Sequence, residues 1–406
     1  MGRRGKNEGS VFQRADGVWT GSINLGMVGG RRKRKVVYGK TRAEVARKLR
    51  SEQSELEFGL PVGDGQMTVE QLCNRWLDDD VEGKVAPNTE ISYRTIVSRH
   101  IVPTVGHVRI MKLTPQDVAE MLRVKAAEAT TTRSGNVRHL SPRTLQVIRG
   151  VLVQALKYGE RQGLVRRNVA ALTKAPKKEQ RRGRSLDADQ ARQLMAAMKD
   201  DPLGPAYALC LSAGLRRGEV LGLTWHNMDL TTLELTVDKA IKREPVREGS
   251  RIKRDREGRV VRRATHGTLK TAQSARVVAL APGAAAMLRE HKRRKVAARL
   301  ASDGWTDMDL VFTTAIGEPV NPDYFSKHFK ELAARAGLGD WHLHELRHSA
   351  ASLLLAAGIQ LKTVSDQLGH ANIATTADIY SHLLKERRTH VAEAMNRQLW
   401  AGDTGT

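Results

Sequence analysis

Cysteine is nearly absent from this chain: its 406 residues include two, Cys73 and Cys210, far apart in sequence. A disulfide framework is excluded on that count, and a reducing, intracellular setting fits better. Apolar runs of transmembrane length are missing, and no charged-then-apolar leader opens the sequence, so no membrane association is expected. Binding at a membrane surface would need an amphipathic helix with a broad apolar face, and none stands out. Acidic residues are in deficit: 44 Asp and Glu face 68 Lys and Arg, a formal charge of +24 with a pI near 10.4. Such a surplus favours a polyanionic partner and says nothing about fold.

The length suits two or three domains. Residues 1–50 hold 14 Lys or Arg and three acids, almost half of the net surplus. Within them, residues 9–40 alternate in short β-like runs around Ala15-Asp16-Gly17 and Gly29-Gly30, which predicts strands over 10–13, 18–25 and 34–38. TRAEVARKLRSEQSELEF (41–58) reads as a helix, with Thr41 as N-cap and Glu44 completing a capping box. This small three-stranded sheet plus helix, residues 1–60, has little core. It can hold out the basic run Arg31, Arg32, Lys33, Arg34 and Lys35, and a strand face of that kind can enter a major groove.

Residues 61–66 read as a linker, and 67–172 as an all-α module. Apolar positions recur at three and four in TVEQLCNRWL, NTEISYRTIVSRHI, TPQDVAEMLRVKAAEA and SPRTLQVIRGVLVQALKYGERQGL, with Thr68, Asn88, Thr114 and Ser141 as caps. Arg94, Arg99, Arg143 and Arg149 make it a module that can grip a backbone, Arg94 and Arg143 being the preferred contacts. TKAPKKEQRRGR (173–184) carries six basic residues and one acid and reads as a flexible, charged connection. The last domain, 185–406, is mainly helical with a small antiparallel sheet: helices over 187–199, 204–213, 217–223 and 282–299, strands over 233–237 and 274–280. Between the strands, residues 242–263 hold ten basic residues and four acids, predicting an unusually long charged hairpin.

HELRH (344–348) matches the H-E-x-x-H pattern of zinc peptidases, in which two histidines on one helical face bind the metal. The extended form of that motif needs glycine at 351 and histidine at 354, where this chain has Ala351 and Leu354. Such an enzyme also has no use for Arg347, so no metal and no cofactor are expected. The motif is better read as H-x-x-R followed by a packing histidine, His348.

That punctuation joins three other blocks. SAGLRRGEVLGLTW (212–225), LKTAQSARVVAL (269–280), HELRHSAASLLLAAG (344–358) and LGHANIATTADIYSH (368–382) occur in this order. Together they resemble the catalytic signature of the tyrosine recombinase family, the phage-integrase class. Arg216 lies within G-L-R-x-G-E and Lys270 before the S-x-R strand. His344 and Arg347 form H-x-x-R, His370 sits in L-G-H, and Tyr380 follows ten residues later.

The resemblance implies a site-specific DNA recombinase, and the residue types suit its chemistry. Two planar, permanently charged guanidiniums, Arg216 and Arg347, would clamp the non-bridging phosphate oxygens more strongly in the transition state than in the ground state. Tyr380 would attack in line to give a 3′-phosphotyrosyl linkage. Its hydroxyl, with a pKa near ~10, needs a base or a positive field. His344 would take its proton, Lys270 would serve as general acid for the 5′-oxygen, and His370 would donate a hydrogen bond to the phosphate. Glu219 would orient the arginine clamp. Lys239 and Lys253 are rivals to Lys270, and Tyr324 is a rival nucleophile without the L-G-H approach. Residues 381–400 read as a helix that packs on its own domain or on a neighbouring protomer.

The same resemblance makes 67–172 a core-binding (SAM-like) domain, 185–406 the catalytic domain, and 1–60 an arm-type DNA-binding domain. It implies integration of a phage or mobile element into a bacterial chromosome by a homotetramer on double-stranded core and arm attachment sites, in the cytoplasm and on the nucleoid. An excision directionality factor and a host DNA-bending protein are the implied partners. The alternatives are a type IB topoisomerase-like nicking-closing enzyme and a non-catalytic DNA-binding regulator.

Overall fold

The computed structural model describes residues 10–28, 31–57, 66–131, 135, 137–176, 184–249, 251–269 and 275–369, with Ile373, Met395, Asn396 and Leu399. The chain divides into two compact units, residues 1–180 and 181–406. Cys73 lies in the first and Cys210 in the second; both are buried and free, and burial pushes the Cys73 thiol up to about 12. Among the described residues no helix is long and apolar enough to cross a membrane.

The first unit opens with an antiparallel sheet of β1 (Ser10–Gln13), β2 (Trp19–Val28) and β3 (Arg31–Gly39), followed by α1 (Arg42–Glu57). The two-residue period divides it into faces. Ile23 on β2 joins Val45 and Leu49 of α1 in a core that Val11, Trp19 and Val37 complete. The open face aligns Phe12, Thr20 and Tyr38 across the strands, with Val36 and Arg34 further along β3. A register shift between Asn24 and Met27 bends the ribbon where the basic run begins. Thr41 accepts from the Glu44 N–H at 3.2 Å, as expected of a cap, but the Glu44 carboxylate reaches back to the N–H of Lys40 rather than of Thr41.

Helices make the rest of this unit: α2 (Val69–Trp76), α3 (Pro87–Ile96), α4 (Val102–Val105), α5 (Pro115–Ala127), α6 (Pro142–Arg161) and α7 (Val169–Leu172). Thr68, Thr114 and Ser141 each accept from the N–H three residues on. Asn88 does not cap α3. Pro87, with its fixed φ, occupies the first helical position, so the helix starts ahead of the asparagine, with Ala86 before it. Two π-helical turns, Leu77–Val81 and Val97–Ile101, extend α2 and α3. A hairpin of β4 (Ala129–Thr131) and β5 (Val137–His139) stands between α5 and α6, where the sequence had suggested only more helix. Beyond α7 the chain is docked: Thr173 donates to the Val169 carbonyl at 3.1 Å, and Gln146 donates to that of Pro176 at 2.8 Å.

The second unit begins at an equally docked end. Arg184 lies 4.2 Å over the Trp341 ring and donates to the Glu345 carboxylate. Only part of the connection read as flexible is therefore without a described contact; residues 177–183 lie outside the described residues. Next come α8 (Ala188–Met198), α9 (Gly204–Ser212) and α10 (Arg217–Leu221). Apolar on all sides, α9 runs through the middle of the core, with Gly204 to Leu211 all buried. The small sheet has the order β12-β7-β6 and is formed by β6 (Met228–Asp229), β7 (Glu234–Val237) and β12 (Arg276–Ala279). Between β7 and β12 the predicted long hairpin is present. In it, β8 (Lys239–Pro245) pairs with β11 (Arg262–Thr268), and short β9 (Arg247–Glu248) and β10 (Arg251–Ile252) lie toward its tip. Among the described residues four more helices follow: α11 (Pro282–Leu300), α12 (Pro322–Arg335), α13 (Leu343–Ala356) and α14 (Leu361–Leu368).

Candidate active site

The G-L-R-x-G-E block folds as a tight turn into α10. Gly214 has φ +66, and a Cβ there would meet Leu368 Cδ2 at 2.3 Å, so only glycine gives both the backbone and the clearance. Arg216 precedes α10, and Glu219, one turn on, accepts from its backbone N–H at 3.0 Å and from its Nη1 at 2.6 Å. That pair is lopsided in exposure: the Arg216 side chain is 37% exposed and the Glu219 side chain 3%. A second arginine shares the carboxylate. Arg276, at the start of β12 and 7% exposed, donates from Nη2 to Glu219 Oε2 at 2.9 Å. Burial works to raise the Glu219 carboxyl, but hydrogen bonds and charge from Arg276 and then Arg216 prevail, holding it below the usual carboxylate range.

The H-x-x-R block forms the first turns of α13. Glu345 accepts from the His342 N–H at 2.7 Å and receives Arg184, so its carboxylate serves the helix end and not the space between the histidines. Arg347 is buried; Nη1 donates to the Gly214 carbonyl at 2.7 Å and Nη2 to that of Leu368. His344 reaches solvent and packs edge-to-face against His348, ring centroids 5.0 Å apart. Lost hydration, then His348 and the charges of Arg347 and Arg216, hold the His344 imidazole below its usual range. Desolvation and Arg347 do the same to His348.

These blocks converge on the C-terminal end of α14. The Gln367 carbonyl accepts from Arg276 Nε at 2.8 Å, the Leu368 carbonyl from Arg347, and the Gly369 carbonyl from Arg216 Nη2 at 3.1 Å. Three consecutive carbonyls are thus received by arginines from three different parts of the unit. A helix end leaves its last carbonyls without partners and carries partial negative charge, so cations are favoured there. Bonds of this charge-assisted kind contribute about 1.5–3 kcal/mol each, comparable to burying a leucine. Gly369 itself is left-handed, φ +66, as a helix-terminating residue often is.

Lys270, His370 and Tyr380 lie outside the described residues, as does most of 381–400. Among the described residues no group of three or more His, Cys, Asp or Glu is placed to hold a metal ion. A cavity of about 550 Å³ lies elsewhere in the unit, lined by Leu203, Met287, Lys295, Trp305 and Phe312 among others, and no motif residue lines it. Tyr324, the rival nucleophile, is exposed beside His328, ring centroids 5.7 Å apart.

Comparison with known proteins decides what this arrangement belongs to. The model of the "Phage integrase family" matches residues 184–387, half of the chain. It is a phage integrase family protein. The model of the "Phage integrase, N-terminal SAM-like domain" matches residues 68–123 ahead of it. The "Tyrosine recombinase XerC-like" protein of Caldanaerobacter subterraneus subsp. tengcongensis is 26% identical over 373 residues, 89% of this chain and 91% of that one. The "Tyrosine recombinase XerC" of Xylella fastidiosa (strain M23) is 30% identical over 308 residues, 75% and 88% of the two. Among solved structures, the Tn1549 transposon integrase in complex with transposon right end DNA is similar, with TM-score 0.63 and 18% identity over 82% of this chain and 99% of that one. A lambda integrase tetramer bound to a Holliday junction gives TM-score 0.52 and 18% identity over 89% and 95%. The phage-integrase fold read from the four blocks is therefore present, and the protein is an enzyme, a tyrosine-type site-specific DNA recombinase.

Other residues read as DNA contacts fare differently. Arg94 is engaged by three carboxylates: Glu90 at 3.2 Å, Glu82 at 2.8 Å and Asp78 at 3.4 Å. These carboxylates engage its guanidinium within the helical unit. Arg149 donates to the Ala171 carbonyl at 2.8 Å. Arg143 stands exposed in the first turn of α6, and Arg34 is exposed on the open sheet face. Lys35 is half-buried on the other face, while the side chains of Arg31, Arg32 and Lys33 lie outside the described residues. Arg276 is the site residue that sequence reading passed over; the signal was an arginine inside the otherwise apolar strand SARVVAL.

Proposed function

We propose that this recombinase cuts one DNA strand through a 3′-phosphotyrosyl intermediate at Tyr380, with Arg216 and Arg347 clamping the phosphate. The observation that carries this reading is the meeting of the two arginines on adjoining carbonyls of one helix end, with His344 a turn ahead of Arg347. A guanidinium has five donors, so Arg216 can hold Glu219 and Gly369 and still present N–H groups to an anion. His344, neutral at ordinary pH, is suited to take the tyrosine proton. Lys270 serves as general acid at the 5′-oxygen, and His370 donates to the phosphate. The ester preserves the bond energy, so a 5′-hydroxyl of another duplex can complete strand exchange.

In this reading residues 1–60 bind arm-type DNA, 67–172 bind core sites, 173–184 link them to the catalytic domain, and 185–406 cut. The exposed row of Phe12, Val36, Tyr38 and Arg34 on the N-terminal sheet supports the first role. The protein acts as a homotetramer on double-stranded attachment sites, as the tetrameric lambda integrase bound to a Holliday junction suggests. It integrates a phage or related mobile element in the cytoplasm of a bacterial host, on the nucleoid, and excises it with an accessory directionality factor and a host DNA-bending protein. A nicked suicide duplex built from the DNA flanking the gene is expected to trap a covalent adduct that Tyr380→Phe abolishes. An adduct surviving that change, or none with the unaltered protein, would sink the reading.

A further inference from the structure

Arg276 is held by protein groups from two other segments of its unit. Its side chain is 7% exposed, against 37% for Arg216, although both grip Glu219. From the start of β12 it donates to Glu219 Oε2 and, with Nε, to the Gln367 carbonyl. Its guanidinium also fills the space over Gly369: a Cβ there would meet Arg276 Cδ and Nη1 at 3.0 Å. One side chain therefore ties together three segments. The first is β12, which follows Lys270 in sequence; the second is the turn bearing Arg216; the third is the end of α14, after which His370 is the next residue.

The end of α14 is held by both polar and apolar contacts. Its buried apolar contacts form a small cluster, Val364 and Leu368 with Ala351 and Leu355, apart from the main core. Polar bonds to the last carbonyls must do what a larger apolar face does for α9. Arg347 and Arg216 contribute to that grip, and in the proposed reading each also faces a phosphate, which competes for their donors.

We propose that Arg276 is a positioning residue for strand cleavage, holding Glu219 and the end of α14 so that Arg216 and the chain entering His370 keep their places while DNA is cut. The proposal rests on the assignment of Arg216, His370 and Tyr380 to the cleaving machinery. It predicts a division between binding and chemistry. A positioning role gives Arg276 no phosphate contact, so its loss should leave DNA affinity intact. The rate should fall, because a displacement of about 1 Å in a catalytic group lowers rate on the order of 100-fold.

The test uses the full-length protein on the nicked suicide duplex, with DNA affinity and first-order adduct formation at saturating protein measured separately. Arg276→Ala is expected to bind within about twofold of the unaltered protein and to form adduct on the order of 100-fold more slowly. Methylguanidinium at tens of millimolar should restore at least a tenth of the lost rate by refilling the vacated space. Guanidinium compounds weaken folded proteins, so a variant that was merely loosened would slow further, the opposite sign. If Arg276→Ala does not fold, Arg276→Lys decides, since one ammonium cannot span both the carboxylate and the carbonyl. A slowed lysine variant with unchanged affinity supports the proposal, and one cleaving at the full rate overturns it. An alanine variant cleaving at the full rate, or one that folds but is slowed further by methylguanidinium, also overturns it. An adduct from Tyr380→Phe overturns the assignment of the nucleophile, and this proposal with it.

Discussion

An imidazole set beside two guanidiniums and a second imidazole resists taking up a proton. His344 and His348 both titrate below the usual histidine range in the folded protein. In the unfolded chain each titrates near ~6.5. Above that value both states are neutral and the pair contributes no pH dependence. As pH falls from about 6.5 through the depressed folded values, the unfolded chain binds more protons and stability declines. The same sign governs activity. A neutral His344 remains able to accept the tyrosine proton below pH 6.5, so single-turnover cleavage should hold its rate there and fall only on further acidification. Rates measured from pH 5 to 8, alongside urea midpoints over the same range, check both; an acid limb already present above 6.5 would contradict them.

At the scale of elements, the turn before α10 and the end of α14 are fitted to one another. Gly214 supplies a left-handed backbone and room for Leu368, whereas Gly358, φ +91 after α13, has open space around it. Alanine at either position incurs about 1–2 kcal/mol of left-handed strain; only at 214 does it also collide. Gly214→Ala is therefore expected to lower the urea midpoint of the second unit clearly more than Gly358→Ala, and equal losses would deny the crowding. Local signals made much of this scale legible. Thr68, Thr114 and Ser141 cap their helices because a hydroxyl two or three residues before an apolar period has one good use. Asn88 misled because Pro87 starts a helix more firmly than asparagine caps one. The hairpin of β4 and β5 was missed because three-residue strands leave almost no period to read. Arg216, Arg347 and His344 stand out in the sequence because phosphate chemistry restricts the residue type. Arg276 does not, because its partners are a carboxylate and a carbonyl that only the fold brings to it.

Over the whole molecule, a formal charge of +24 sets the expectation of steep salt dependence. The total does not reveal which cations face the phosphates. Arg94 reads as one more basic residue in sequence, yet Asp78 and Glu82 reach it from and just beyond a π-helical turn that no pattern announced. Among the described residues Arg143, at the start of α6, has no carboxylate paired with it. Replacing Arg143 by alanine should reduce the slope of log affinity against log salt by about 1. Replacing Arg94 should leave the slope unchanged while lowering the urea midpoint of the first unit. Binding titrations across a potassium chloride series separate the two, and a reduced slope for the Arg94 variant would place it at the DNA surface.

The end of α14 receives three permanent cations, Arg216, Arg276 and Arg347, and two of them, Arg216 and Arg276, share the Glu219 carboxylate. By mass action any anion that lodges beside them and not in the unfolded chain raises the stability of the unit. In the proposed reading DNA is such an anion, so the recombinase should resist unfolding more firmly when it is engaged with its substrate.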